Sequence, residues 1–211
     1  QFVDVGYAGH NARAVQEPSS YLAKRAFTET LKNEGKYATL LAGGSGTGKT
    51  SALKNIPAMS KVTDQSAVIL DSNLSTLASA KKKITEAQEA GKRAFISFVY
   101  RDPLDAFENG VVKRMLQNPD EMGRVVPTKV VAQNHINSWE VTKQLKNEGH
   151  KVRFIDNSLG AGNARLATLN ELKSKIKYPS VEELTQSFNK IAKRLYDTGK
   201  ITFDQYRGYV E

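Results

Sequence analysis

The chain has 211 residues, no cysteine, three histidines and a formal net charge of +9. Without cysteine there is no disulfide scaffold, thiolate metal site or cysteine nucleophile. No apolar run approaches the roughly 18 residues that span a bilayer, and 39% apolar with 25% charged residues suits a soluble globular protein.

A reducing, cytoplasmic setting is therefore the expectation. Residues 1–9 lack the basic-then-apolar layout of a secretory leader. A chain that opens on Gln reads as a piece of something longer. The positive charge admits a polyanionic partner. The lysines are scattered, however, with no basic stripe interleaved with aromatics, so nucleic acid is not the favoured partner.

Residues 1–17 show no period and read as an irregular arm. Pro18-Ser19-Ser20 then looks like a helix start, with Leu22, Ala26, Phe27 and Leu31 on one face and Gly35 as its stop. The apolar run 37–42 predicts a buried strand. A helix from Lys49 must end before Pro57. Residues 67–71 predict a second strand ending in an acid, 75–90 a helix, and 93–100 a third strand. Leu104, Phe107, Val111 and Met115 share a helical face. A loop over 118–126 precedes a long helix over 127–147 and a fourth strand over 152–156. Beyond Gly160-Ala161-Gly162 only helices are expected, one of them opened by a capping box at Ser180–Glu183.

Alternating strands and helices imply an α/β fold of the P-loop NTPase type. It would be a doubly wound, mostly parallel sheet with helices on both faces and a helical C-terminal extension. The expected organisation is an arm and helix over 1–35, a P-loop core over 36–160, and the extension over 161–211.

The chemistry begins at Gly43-Gly44-Ser45-Gly46-Thr47-Gly48-Lys49-Thr50, a complete G-x-x-x-x-G-K-[ST] pattern between a strand and a helix. Glycines let successive backbone N–H groups converge on one anion, and the helix adds its positive end. Lys49 supplies a cation for the β- and γ-phosphates, and the Thr50 hydroxyl a ligand for Mg2+. The bound group is ATP, with GTP also open. Phosphoryl transfer further needs an acid and cations for developing charge. Asp71, at the end of the second strand, is the candidate metal-organising acid or base. Arg114 and Arg124 are the candidate clamps, since arginine's fork matches phosphate oxygens. Arg101 and Asp102 follow as weaker candidates. His135 and Trp139 read as packing, Lys81-Lys82-Lys83 as a solvated face, and Asp156 as a turn cap.

Several of these residues resemble the zeta-toxin family of P-loop kinases over residues 36–157. Besides the loop, Phe98-Val-Tyr-Arg-Asp-Pro-Leu104 leads to Val111-Val-Lys-Arg114. Gly123-Arg124-Val-Val-Pro127 and Val152-Arg-Phe-Ile-Asp-Asn157 follow in the family's order. The resemblance implies an ATP-dependent kinase acting on the hydroxyl of a small acceptor, such as a UDP-amino sugar. It also implies that Lys49 and Thr50 bind ATP and Mg2+, that Arg114 and Arg124 clamp the transferring group, and that an antitoxin or neighbouring domain is a partner. One departure stands out. Between Thr50 and the third strand the family has two acidic segments, and this chain has room for one. Two alternatives stay open: a polynucleotide kinase or similar enzyme, and a non-catalytic nucleotide-binding module of a larger protein.

Overall fold

A computed structural model describes residues 12–117, 125–160 and 162–211. Its centre is a five-stranded sheet in the order β2-β1-β3-β4-β5. The strands are β1 (Tyr37–Ala42), β2 (Ser66–Leu70), β3 (Arg93–Tyr100), β4 (Val152–Asp156) and β5 (Arg165–Ala167). The first four run parallel, and β5 joins β4 antiparallel. In register, Leu40 lies opposite Ile96, and Phe98 opposite Phe154.

Side chains alternate across a strand, so β1 feeds both faces. Leu41 packs with Ala52 and Leu53 of α2 (Lys49–Asn55), Met59 of α3 (Pro57–Asp64), and Val99 and Ile155. Leu40 and Ala42 face the other way. They join Ala80 and Ile84 of α4 (Leu77–Glu89) and Trp139 and Leu145 of α7 (Thr128–Asn147). Phe27 of α1 (Ala12–Thr30) and Leu172 of α8 (Leu169–Lys175) complete this layer.

A third apolar cluster lies beyond α7. Phe188 of α9 (Val181–Asp197) stacks on Phe107 with centroids 4.6 Å apart, and Tyr209 of α10 (Phe203–Val210) meets Phe107 edge-on at 5.4 Å. Val131 and Ala132 on the far side of α7 belong to the same cluster. The helix is therefore buried along two sides, one against the sheet and one against the C-terminal helices.

Three local expectations need correction, and one short helix is added to a boundary that stands as expected. Helix α1 begins at Ala12, ahead of Pro18; the run Ala12-Arg-Ala-Val-Gln consists largely of good helix formers. Pro57 ends α2 and also opens α3, because its fixed φ suits a first helical position, while Ile56 before it is extended. The stretch after Gly162 includes β5, whose three residues are too few to show a period. Finally, the helix carrying Arg114 is broken into α5 (Pro103–Ala106), a π-helical turn (Phe107–Val112) and α6 (Lys113–Gln117). Gly110 in that turn approaches Gly46 so closely that an added Cβ would lie 2.6 Å from the Gly46 carbonyl oxygen.

Among the described residues, no helix is long and apolar enough to cross a membrane.

Candidate functional site

The loop 43–48 leaves the C-terminal end of β1 and enters α2 through Gly48, whose φ of 76° is left-handed. Its curl is held from outside by side chains that take its carbonyl oxygens in turn. The Lys49 ammonium reaches the carbonyls of Gly43 at 3.4 Å and Gly44 at 3.3 Å, and the Thr47 hydroxyl also donates to Gly44 at 3.0 Å. His135 Nε2 meets the Ser45 carbonyl at 3.0 Å, and Arg101 Nη1 reaches Gly46 at 3.4 Å. Asn157 Nδ2 donates to Thr47 at 2.7 Å. With its carbonyl oxygens taken up by these donors, the loop can offer backbone N–H groups to an anion, as a phosphate cradle must.

Helix α7 contributes more than one of these contacts. Ser138 Oγ accepts from the Gly43 N–H at 2.7 Å, and Asn134 Nδ2 donates to Ser45 Oγ at 3.3 Å. The His135 ring lies so near that a Cβ on Gly44 would sit 2.2 Å from Nδ1. A carbonyl can only accept, so Nε2 carries the imidazole proton. Burial pushes the His135 pKa down to about 4, and the Lys49 charge acts the same way while the Ser45 bond opposes. The ring is thus neutral near pH 7.

At the mouth of the loop, Thr50 Oγ1 donates to Asp71 Oδ2 at 2.7 Å and Lys49 Nζ lies 3.9 Å from Asp71 Oδ1. Asn73 Oδ1 accepts from Lys49 Nζ at 2.9 Å. Burial depresses the Lys49 pKa. The Asp71 charge raises it and the Arg114 charge lowers it further, so both groups lie within electrostatic reach of the lysine. The structure therefore brings Lys49, Thr50 and Asp71 into contact and Arg114 into their field. Arg124 lies outside the described residues. Arg101 pairs with Asp105 and with the loop, and Asp102 caps α5 by accepting from the Leu104 and Asp105 amides. Asp156 is a structural acid held by Lys175 at 2.6 Å and Arg165 at 3.2 Å. Its Oδ1 also accepts from the Ser158 N–H, as expected of a turn cap.

Oxygen donors at Thr50 and Asp71 fit a hard divalent cation such as Mg2+. Among the described residues there is no cluster of three or more histidine, aspartate or glutamate side chains to hold a metal without help from other groups.

Sequence reading missed Asn73, Asn134, His135, Ser138 and Asn157. A signal existed for the α7 set. His135, Ser138 and Thr142 interrupt a stripe of buried positions that includes Val131, Ala132 and Trp139. A buried polar group needs a partner, and for His135 and Ser138 that partner is the loop.

This fold and this site define a P-loop nucleotide-binding protein. Residues 58–160 match the family model described as Zeta toxin, so the chain is zeta-toxin-like across that segment. The match contains Asp71 and Arg114 and begins after the phosphate loop. A chain of the AvrRxo1-ORF1:-ORF2 complex crystallised with ATP has a TM-score of 0.50 at 16% identity, over 81% of this chain and 72% of that one. A chain from the PezAT chromosomal toxin-antitoxin system of Streptococcus pneumoniae has a TM-score of 0.47 at 14% identity, over 83% and 96%. No curated protein matches the chain.

Proposed function

We propose that this protein transfers the γ-phosphate of Mg-ATP to a hydroxyl of a small, nucleotide-containing acceptor, such as a UDP-amino sugar. The observation that carries this reading is the Thr50–Asp71 hydrogen bond beside Lys49. It joins a phosphate-binding cation, a metal-ligating hydroxyl and a carboxylate in one cluster. In this reading Thr50 and Asp71 hold Mg2+, which neutralises phosphate charge when bound. Lys49 turns from its loop carbonyls to the β- and γ-phosphates. Arg114 steadies the transferring group, and Arg124 is proposed for the same task from its place in the family pattern. The zeta-toxin match supports kinase chemistry, and the ATP in the AvrRxo1 complex is in keeping with ATP as the donor. A toxin family also brings an antitoxin into view as a partner.

One observation favours a second reading, a nucleotide-binding module without transfer. Among the described residues β2 is the only strand between the loop and β3, so the acceptor-holding region is short. Incubation with γ-labelled ATP and Mg2+ across UDP-sugars, NAD, nucleosides and oligonucleotides separates the two. Label on one acceptor, lost in Lys49→Ala and Asp71→Ala, supports the kinase. Tight ATP binding without transfer to any of them leaves the module, and label on oligonucleotide ends leads to a polynucleotide kinase.

A further inference from the structure

Behind the phosphate loop, on the side of its carbonyl groups, lies a cavity of about 260 Å3. It opens between the end of β3, one face of α7 and the segment joining α8 to α9. Four aromatic rings line it, those of Phe98, Tyr100, Trp139 and Tyr178. Phe98 and Trp139 hold each other at 5.4 Å, and the Tyr100 hydroxyl is already engaged with the Lys175 carbonyl at 3.0 Å. These rings present mainly apolar faces to the cavity. Gly44, Thr47 and His135 complete the wall toward the loop.

Charge at the rim is unequal. Arg101, already paired with Asp105, and Lys177 bring two cations, Lys177 makes no ion pair among the described residues, and the Asp102 charge acts on Tyr100 and Tyr178 from nearby. The one carboxylate of the lining, Glu140, is paired with Lys143 at 2.8 Å. The volume falls just below the roughly 300 Å3 at which pockets for drug-sized molecules begin. Aromatic faces with an uncompensated cation suit a flat ring that carries an anion.

We infer that this cavity is a second binding site, separate from the phosphate cradle, for a nucleoside monophosphate. Its heterocycle lies among Trp139, Tyr178 and Tyr100, and its phosphate reaches Lys177 and Arg101. The site stands whether or not the protein transfers phosphate. His135 forms its boundary with the loop, touching the cavity on one side and the Ser45 carbonyl on the other.

Trp139 is the only tryptophan in the chain, so its emission reports on this cavity directly. The experiment titrates the whole chain with UMP, AMP and uridine while saturating tripolyphosphate occupies the cradle. A saturable change in emission with at least one nucleotide is expected. Tyr178→Ala should weaken it by about tenfold or more, the scale of one lost stacking partner. Lys177→Glu alters an exposed side chain and should weaken the nucleotide while leaving uridine unchanged. Circular dichroism confirms that both variants fold. No saturable change, or one indifferent to both substitutions, overturns the site. A response that is sensitive to Tyr178→Ala and indifferent to Lys177→Glu overturns the assignment of the phosphate.

Discussion

His135 Nε2 meets the carbonyl oxygen of Ser45 at 3.0 Å, joining the middle of a buried helix to the middle of the phosphate loop. The same ring fills the space where a side chain on residue 44 would have to go. Loop shape is thereby coupled to the packing of α7. His135→Leu leaves the Ser45 carbonyl without this donor, a loss on the order of 1–3 kcal/mol for a buried polar group. His135→Gln can keep an N–H donor in reach. Leu should weaken ATP binding more than Gln does, measured by calorimetry beside thermal melting. Equal ATP affinity in both variants would reduce the histidine to packing.

Gly44→Ala tests the same contact from the other side. The new methyl would meet the imidazole at 2.2 Å, well inside van der Waals contact. The single substitution should depress nucleotide affinity, and combining it with His135→Ala should recover part of that loss. A double variant no better than the sum of the two singles would show that the ring is not the obstacle.

Between Thr50 and Asp71 the 2.7 Å bond predicts shared loss. Asp71→Asn keeps the shape and removes the charge. Turnover should fall by about a hundredfold or more, the lower range for a catalytic carboxylate, with ATP affinity in the absence of Mg2+ little altered. Raising Mg2+ should recover part of the activity if the carboxylate organises the metal. A variant that turns over like the wild type would remove Asp71 from the mechanism.

His135 also predicts how stability varies with pH. Its folded pKa is about 4 against an ordinary 6.5, so between these values the unfolded chain binds the extra proton. Folding stability must then decline as pH falls from about 6.5 to about 4, by a ceiling of roughly 3 kcal/mol at 1.36 kcal/mol per unit. The acids with lowered pKa, Asp105, Glu148, Asp156 and Glu171, add their losses as pH falls through the ordinary carboxylate range and below it. Urea denaturation at a series of pH values should show a flatter curve for His135→Gln than for the wild type across that window. Parallel curves would place the acid sensitivity elsewhere.

The C-terminal helices make a separate prediction. Phe188 is fully buried and stacked on Phe107, next to the turn that carries Gly110 against the loop. Phe188→Ala should cost about 3–5 kcal/mol and lower ATP affinity, since the cluster that backs α7 and the π-helical turn loses its largest contact. Chemical denaturation and calorimetry check the two halves. Lost stability with unchanged ATP affinity would separate the cluster from the site.

The sequence by itself determined the phosphate loop, the four parallel strands and the acid at the end of β2. These are local matters: glycine spacing, runs of apolar residues, and a carboxylate at a strand terminus. It also carried the zeta-toxin pattern across Asp71 and Arg114. What no local pattern contained was which side chains would meet. Asn73, Asn134, His135, Ser138 and Asn157 all end at the loop or its lysine, from positions as many as 110 residues away. The π-helical turn and the brief β5 were hidden for a related reason, since one depends on close approach to Gly46 and the other on pairing with β4. Hydrophobic period shows that a face is buried but says nothing about its partner. That choice was made when α7 was packed between the sheet and the C-terminal helices, which turned three polar residues toward the loop and left a cavity beside them.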